Sequence, residues 1–171
     1  MSIAQSFLPE YDHEMASTRK TLERLPENKL DYKPDPKSMA LGRLAGHITE
    51  MVGWGGMTLT TDSLNIDPAA HPGLVATSRE QILAEFDKNA ASTRAAIAAA
   101  TDEAMMASWT LSIAGNPLFT MPRAGVVRTM IMNHVIHHRA QLTVYYRLNG
   151  VPVPALYGPS ADEGNPASAS A

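Results

Sequence analysis

His134 and His138 stand four residues apart in the stretch Asn133-His134-Val135-Ile136-His137-His138-Arg139-Ala140-Gln141, which holds three of the chain's six histidines. On a helix of about 3.6 residues per turn their side chains lie about 40° apart on one face, close enough to grip a single ion. His137 points elsewhere, about 100° from His138 and about 60° from His134 on the other side. The apolar positions Val127, Met130 and Ile131, then Leu142, Tyr145 and Leu148, form a stripe, and the two histidines fill its middle. Both therefore face the interior. An imidazole taken out of water needs a partner, which is either a divalent metal or hydrogen bonds to carbonyls and carboxylates. The pair alone leaves both open, and a third ligand at a suitable place would favour the metal.

The elements that position this pair can be read from the periodicity. A helix is expected from about Pro122 to Leu148, closed by Asn149-Gly150 and by the prolines of Val151-Pro152-Val153-Pro154. A first amphipathic helix spans Ile3 to about Leu25, its regular part from about Pro9, since proline is tolerated only in a first turn or at a kink. His13 lies among its charged residues and reads as a surface histidine. A proline-punctuated loop, Leu30 to Lys37, closes at Ser38, a good N-cap for a second helix carrying Leu41, Leu44, Ile48, Met51 and Val52. His47 falls on the inner side of that helix, with Glu50 one turn on and Trp54 two turns on. It is the obvious third ligand, its alternative being a packed histidine bonded to Glu50.

Gly53, Gly55 and Gly56 weaken this helix, and residues 67–73 are loop, with His71 given no role. Two overlapping capping boxes, Thr77 with Glu80 and Ser78 with Gln81, open a third helix through Ile82, Leu83, Phe86 and Ile97. The alternation Trp109-Thr110-Leu111-Ser112-Ile113 and the turn Gly115-Asn116-Pro117 allow a short hairpin. Glu163 onward has the small, polar composition of a disordered tail, so one domain over residues 1–162 is expected, followed by a tail over 163–171.

Composition narrows the function classes. A chain of 171 residues with 44% hydrophobic content suits one soluble domain with a substantial core. No apolar run approaches a membrane span and no export signal is visible, so the expected location is cytoplasmic. Without cysteine the metal-binding repertoire is imidazole and carboxylate, and thiol chemistry requires a thiol co-substrate. The net charge of -3 and scattered basic residues give no stripe for phosphates, which speaks against nucleic acid as a partner.

Four helices with inward stripes suggest an all-α fold, a four-helix bundle of the kind that builds metal sites from facing helices. Here the sequence resembles the DinB-like, damage-inducible proteins of bacteria, part of a superfamily that includes metal-dependent thiol transferases. The likeness lies in Asp31-Tyr32-Lys33-Pro34, in Ser38-Met39 to Leu44-Ala45-Gly46-His47 with Glu50-Met51, and in Asn133-His134 to His138-Arg139-Ala140-Gln141-Leu142. It continues in Arg147 to Pro154 and in Tyr157-Gly158-Pro159-Ser160-Ala161-Asp162-Glu163. It covers nearly the whole chain. The resemblance implies an up-down-down-up bundle with long crossover connections, usually dimeric, and one metal held by three histidines that match His47, His134 and His138. The family places Arg directly after the second histidine of its HxxxHRxQ motif, and here Arg139 follows His138.

Three neutral imidazoles leave at least one position of an ion open, the arrangement of a catalytic rather than a closed structural site, able to acidify a water or a thiol. The first expectation is an enzyme, a metal-dependent transferase or hydrolase that joins a low-molecular-weight thiol to an electrophile. Zinc or nickel leads the candidate ions, with iron, cobalt and manganese also compatible. Glu50 and Arg139 are the catalytic candidates, Glu50 as acceptor or base and Arg139 as a holder of an anionic group, while Trp54 and Tyr145 line the pocket. The other expectations are a stress-responsive protein whose metal is structural, and a module binding a small ligand in the bundle core.

Overall fold

The structure, a computed structural model, describes residues 1–164. Four long helices carry it: α1 (Ile3–Leu22), α2 (Leu41–Thr60), α3 (Arg79–Ala99) and, after the short α4 (Asp102–Met106) and α5 (Arg123–Val126), α6 (Asn133–Leu148). α1 packs on α3 and α6, and α2 packs on the same two. The interior they enclose contains Tyr11, Leu22, Leu44, Ile48, Phe86, Ile131, Leu142 and Tyr145, all buried. Of the positions expected in this core, Leu83 is only partly buried against it, and Met130 is partly buried in a second cluster around Trp109, Leu111 and Val126. Leu148 is exposed.

The expected all-α class is corrected by a three-stranded sheet. β1 (Ser63–Ile66) pairs in parallel with β2 (Ser108–Ile113), which pairs antiparallel with β3 (Asn116–Pro122). The β2–β3 hairpin matches the alternation read in the sequence. Its two-residue turn, Ala114-Gly115, has both φ angles positive, at 48° and 81°, as a turn matched to strand twist requires. β1 was not legible: it is four residues long and draws its hydrogen-bond partner from more than forty positions later.

Local chemistry explains where other boundaries differ from expectation. α1 begins at Ile3 rather than near Pro9, because Ser2 accepts from the Gln5 amide while Gln5 accepts from the Ser2 amide, a complete capping box that holds the first turn ahead of the proline. Ser38 does not cap α2. The Leu41 and Gly42 amides donate instead to the Tyr32 and Leu30 carbonyls of the proline-rich loop, at 2.9 and 2.8 Å. The glycines after Val52 do not end α2 either: a Cβ on Gly55 would come 2.7 Å from Thr93, so they let α3 approach closely, and Thr93 donates to the Val52 carbonyl at 2.7 Å. At α3, Ser78 accepts from the Gln81 amide, while the Gln81 side chain reaches the Thr77 amide.

The last helical segment is continuous from Arg123 but not regular, because Val127–Met132 is a π-helical turn just before the histidines. Beyond α6 the chain folds back over α1, where Glu163 pairs with Lys20 at 2.7 Å and with Arg24. Glu163 is thus anchored to the domain, contrary to a boundary at 162, while residues 165–171, where most of the tail was expected, lie outside the described residues. No helix among the described residues is long and apolar enough to cross a membrane.

Candidate metal centre

α2 brings His47 across the interior to His134 and His138 of α6. Their ring centroids lie 5.3 Å (His47 to His134), 4.7 Å (His47 to His138) and 4.6 Å (His134 to His138) apart. One nitrogen from each ring falls within 4.8 Å of the others, and the group contains no carboxylate. His137 is exposed and outside the group, its ring nitrogen 3.1 Å from the Gln141 amide nitrogen. His13 and His71 are exposed and outside the group, although His71 lines the cleft that reaches His47.

The electrostatics keep these rings neutral. Burial is the first cause of a lowered proton affinity at all three, and neighbouring imidazoles add to it. His47 is pushed from 6.5 to about 4, with His138, Arg43 and His134 contributing after burial. Neutral imidazole is the form that ligates metal. Two rings are also oriented from outside. The Nδ1 of His138 pairs with Gln141 Oε1 at 2.7 Å, which leaves its Nε2 free, and His134 bonds to the Met130 backbone. His47 Nδ1 is buried without a hydrogen-bond partner among the described residues. A buried ring nitrogen lacking a partner costs free energy, and three unprotonated nitrogens converging on one point fit a divalent cation.

Glu50 sits beside this group but is not bonded to it, its Oε2 being 3.9 Å from His47 Nδ1. It accepts instead from Arg43 Nη1 at 2.9 Å and from the Leu74 amide, tying the loop after Gly73 to α2. That loop runs so close that a Cβ on Gly46 would meet the Leu74 carbonyl at 1.9 Å. Arg139 does not serve the site as an anion holder. It points to α1 and is buried in an ion pair with Glu14 at 2.7 Å, with Thr18 as a further acceptor and the Tyr157 hydroxyl beside both. The sequence reading missed the parts played by Arg43 and Gln141. The position of Gln141, three residues after His138 on the same helix, is the signal that could have found it.

Two clefts adjoin the imidazoles. One, of about 380 Å³, is lined by His138, Gln141, Met39, Val144 and Tyr145, and the other, of about 340 Å³, by His47, Glu50, Arg43, Trp54, Met57 and β1. Trp54 and Tyr145, both expected at the pocket, therefore line different clefts.

The sequence matches the DinB family over residues 1–168. The chain belongs to the DinB family. The uncharacterised protein YrdA of Bacillus subtilis (strain 168) is 29% identical over 160 residues, covering 92% of this chain and 89% of its own. A DinB-like protein from Bacillus cereus ATCC 10987 has a crystal structure that superposes with a TM-score of 0.69 at 28% identity, covering 90% of this chain and 97% of that one. A second DinB-like crystal structure, YjoA from Bacillus subtilis, has a TM-score of 0.64 at 18% identity, covering 86% and 96%, and bears on the fold alone.

Proposed function

We propose that this DinB family member is a metal-dependent enzyme whose single divalent ion is held by His47, His134 and His138, and that it transfers a low-molecular-weight thiol to an electrophile or hydrolyses one. The observation that carries the reading is the convergence of three neutral imidazoles, without a carboxylate, at the edge of two open clefts. An ion so held keeps positions for substrate and supplies Lewis acidity, lowering the pKa of a thiol or water. The chain's own residues do the rest. On this reading Gln141 fixes the His138 tautomer, and Glu50, held beside His47 by Arg43 and the Leu74 amide, is the acceptor or base.

On this reading the long helices follow the up-down-down-up order of the resemblance, and the protein works as a homodimer with a cellular thiol as co-substrate. Zinc and nickel are the first ions to test. The experiment is a panel of thiols and electrophiles presented to zinc-loaded and nickel-loaded protein, with metal-stripped protein as control. Turnover that disappears on stripping while melting hardly changes supports the enzyme. A second reading, a stress-responsive protein with a structural ion, is favoured by the way the triad bridges α2 and α6, and it requires a large fall in melting temperature on stripping without turnover in either form.

A further inference from the structure

His47, Glu50, Trp54 and Met57 recur along α2 at spacings of three, four and three, so they form one stripe about 15 Å long. Chemistry changes along it, from a ligating imidazole, through a carboxylate, to an indole and a thioether. The stripe floors the 340 Å³ cleft, and Leu64 and Ile66 of β1 stand in its wall. Most polar groups along the floor and wall of this cleft are already engaged, Glu50 with Arg43 and the Leu74 amide and Asn65 Oδ1 with the Gly115 amide at 2.9 Å, while the exposed His71, also in the lining, bonds through Nδ1 to the Asp67 carbonyl at 3.3 Å. The Arg43–Glu50 pair cancels its own charge, so the middle of the cleft offers no free ion to a ligand. Trp54 is half-buried and Met57 exposed, an apolar surface left open next to a site of ligating nitrogens.

We infer that the cleft between α2 and β1 binds the apolar part of the substrate, which is an amphiphilic small molecule with a ligating head at the imidazoles and an alkyl or aryl body along Trp54 and Met57. This rests on the proposed metal function. The sheet that breaks the all-helical pattern then has a role, because β1 closes the side of the cleft that helices leave open. Among the described residues the surface of Trp54, Met57, Leu64 and Ile66 offers a polar, multiply charged thiol no hydrogen-bonding side chain, whereas an apolar group displaces water from that carbon surface without breaking a hydrogen bond.

The test is calorimetric titration of the zinc-loaded chain with acetohydroxamic and octanohydroxamic acids, which share a ligating head and differ only in tail. The longer acid is expected to bind at least about tenfold more tightly, since each buried methylene adds to affinity. Met57→Glu, at an exposed position that leaves folding intact, and Trp54→Ala should both remove that advantage while acetohydroxamate affinity stays as it was. Equal affinities for the two acids would overturn the inference, and so would loss of the advantage in Val144→Glu, on the other cleft, instead of in Met57→Glu. If the protein takes up no zinc, or neither acid binds, it is the metal reading that fails. The subsite is then decided by titrating metal-free Trp109→Phe protein, in which Trp54 is the one tryptophan, with benzyl alcohol and following its fluorescence: a saturable change abolished by Met57→Glu supports it, and a flat response rejects it.

Discussion

His47 carries the largest electrostatic perturbation among the three histidines, and its sign has a measurable consequence. In the unfolded chain the ring takes a proton near 6.5, whereas folded and metal-free it does so only near 4, so between these values unfolding is accompanied by proton uptake. The metal-free protein should therefore be fully stabilised by this group above about pH 6.5 and lose that stability progressively as pH falls toward 4. Melting curves of chelator-treated protein across that window should show the decline, and His47→Gln should flatten it. An unchanged slope in the variant would mean that the ring is not held neutral by burial. Arg139 tests a different residue-scale point. With Arg139 and Glu14 only 2% and 6% exposed at the side chain, Arg139→Ala leaves a buried carboxylate unpaired and should cost about 3–5 kcal/mol of stability. Metal stoichiometry of whatever folds should stay that of the parent, because the guanidinium faces α1.

At the scale of elements, the site depends on how closely α2 approaches its neighbours. Gly46 is the tightest point, with the Leu74 carbonyl where a Cβ would be, and Leu74 in turn donates to Glu50. Gly46→Ala should displace that loop and destabilise the fold by about 1–3 kcal/mol, the usual cost of overpacking, despite alanine's better helix propensity. Denaturant unfolding checks it, and a more stable variant would show that the loop yields freely. The helices that bear the histidines were legible in the sequence because their apolar positions repeat with helical period and the ligand spacing sits on that period. The π turn at Val127–Met132 was not, since an extra residue per turn shifts the faces without changing composition. It is why Met130 leaves the main core for the Trp109 cluster while Ile131 and Val135 stay in it.

For the whole molecule, the sequence disclosed most of the helical architecture, the β2–β3 hairpin, the start of α3 and the end of α6, and the three histidines that converge, but not β1 or the starts of α1 and α2. The reasons are physical. β1 pairs with a strand far along the chain, so no local pattern announces it, and the first amides of α2 are taken by the Tyr32 and Leu30 carbonyls of the preceding loop, a backbone contact that no side-chain capping signal announces, rather than by Ser38. Arg139 was misjudged because a motif fixes a residue's identity and not its direction, and one step round the helix from His138 turns it from the site to α1. Light scattering addresses the proposed homodimer, where a mass of twice the 18.4 kDa chain is expected and a mass of one chain would remove it.

The central claim is that His47, His134 and His138 together hold one ion, and elemental analysis of single alanine variants tests it most directly. After loading with zinc and removal of excess, the parent should retain about one ion per chain, each of the three variants should lose most of it, and His13→Ala, His71→Ala and His137→Ala should keep it. Full occupancy in His47→Ala, or loss in His137→Ala with retention in His138→Ala, would contradict the assignment.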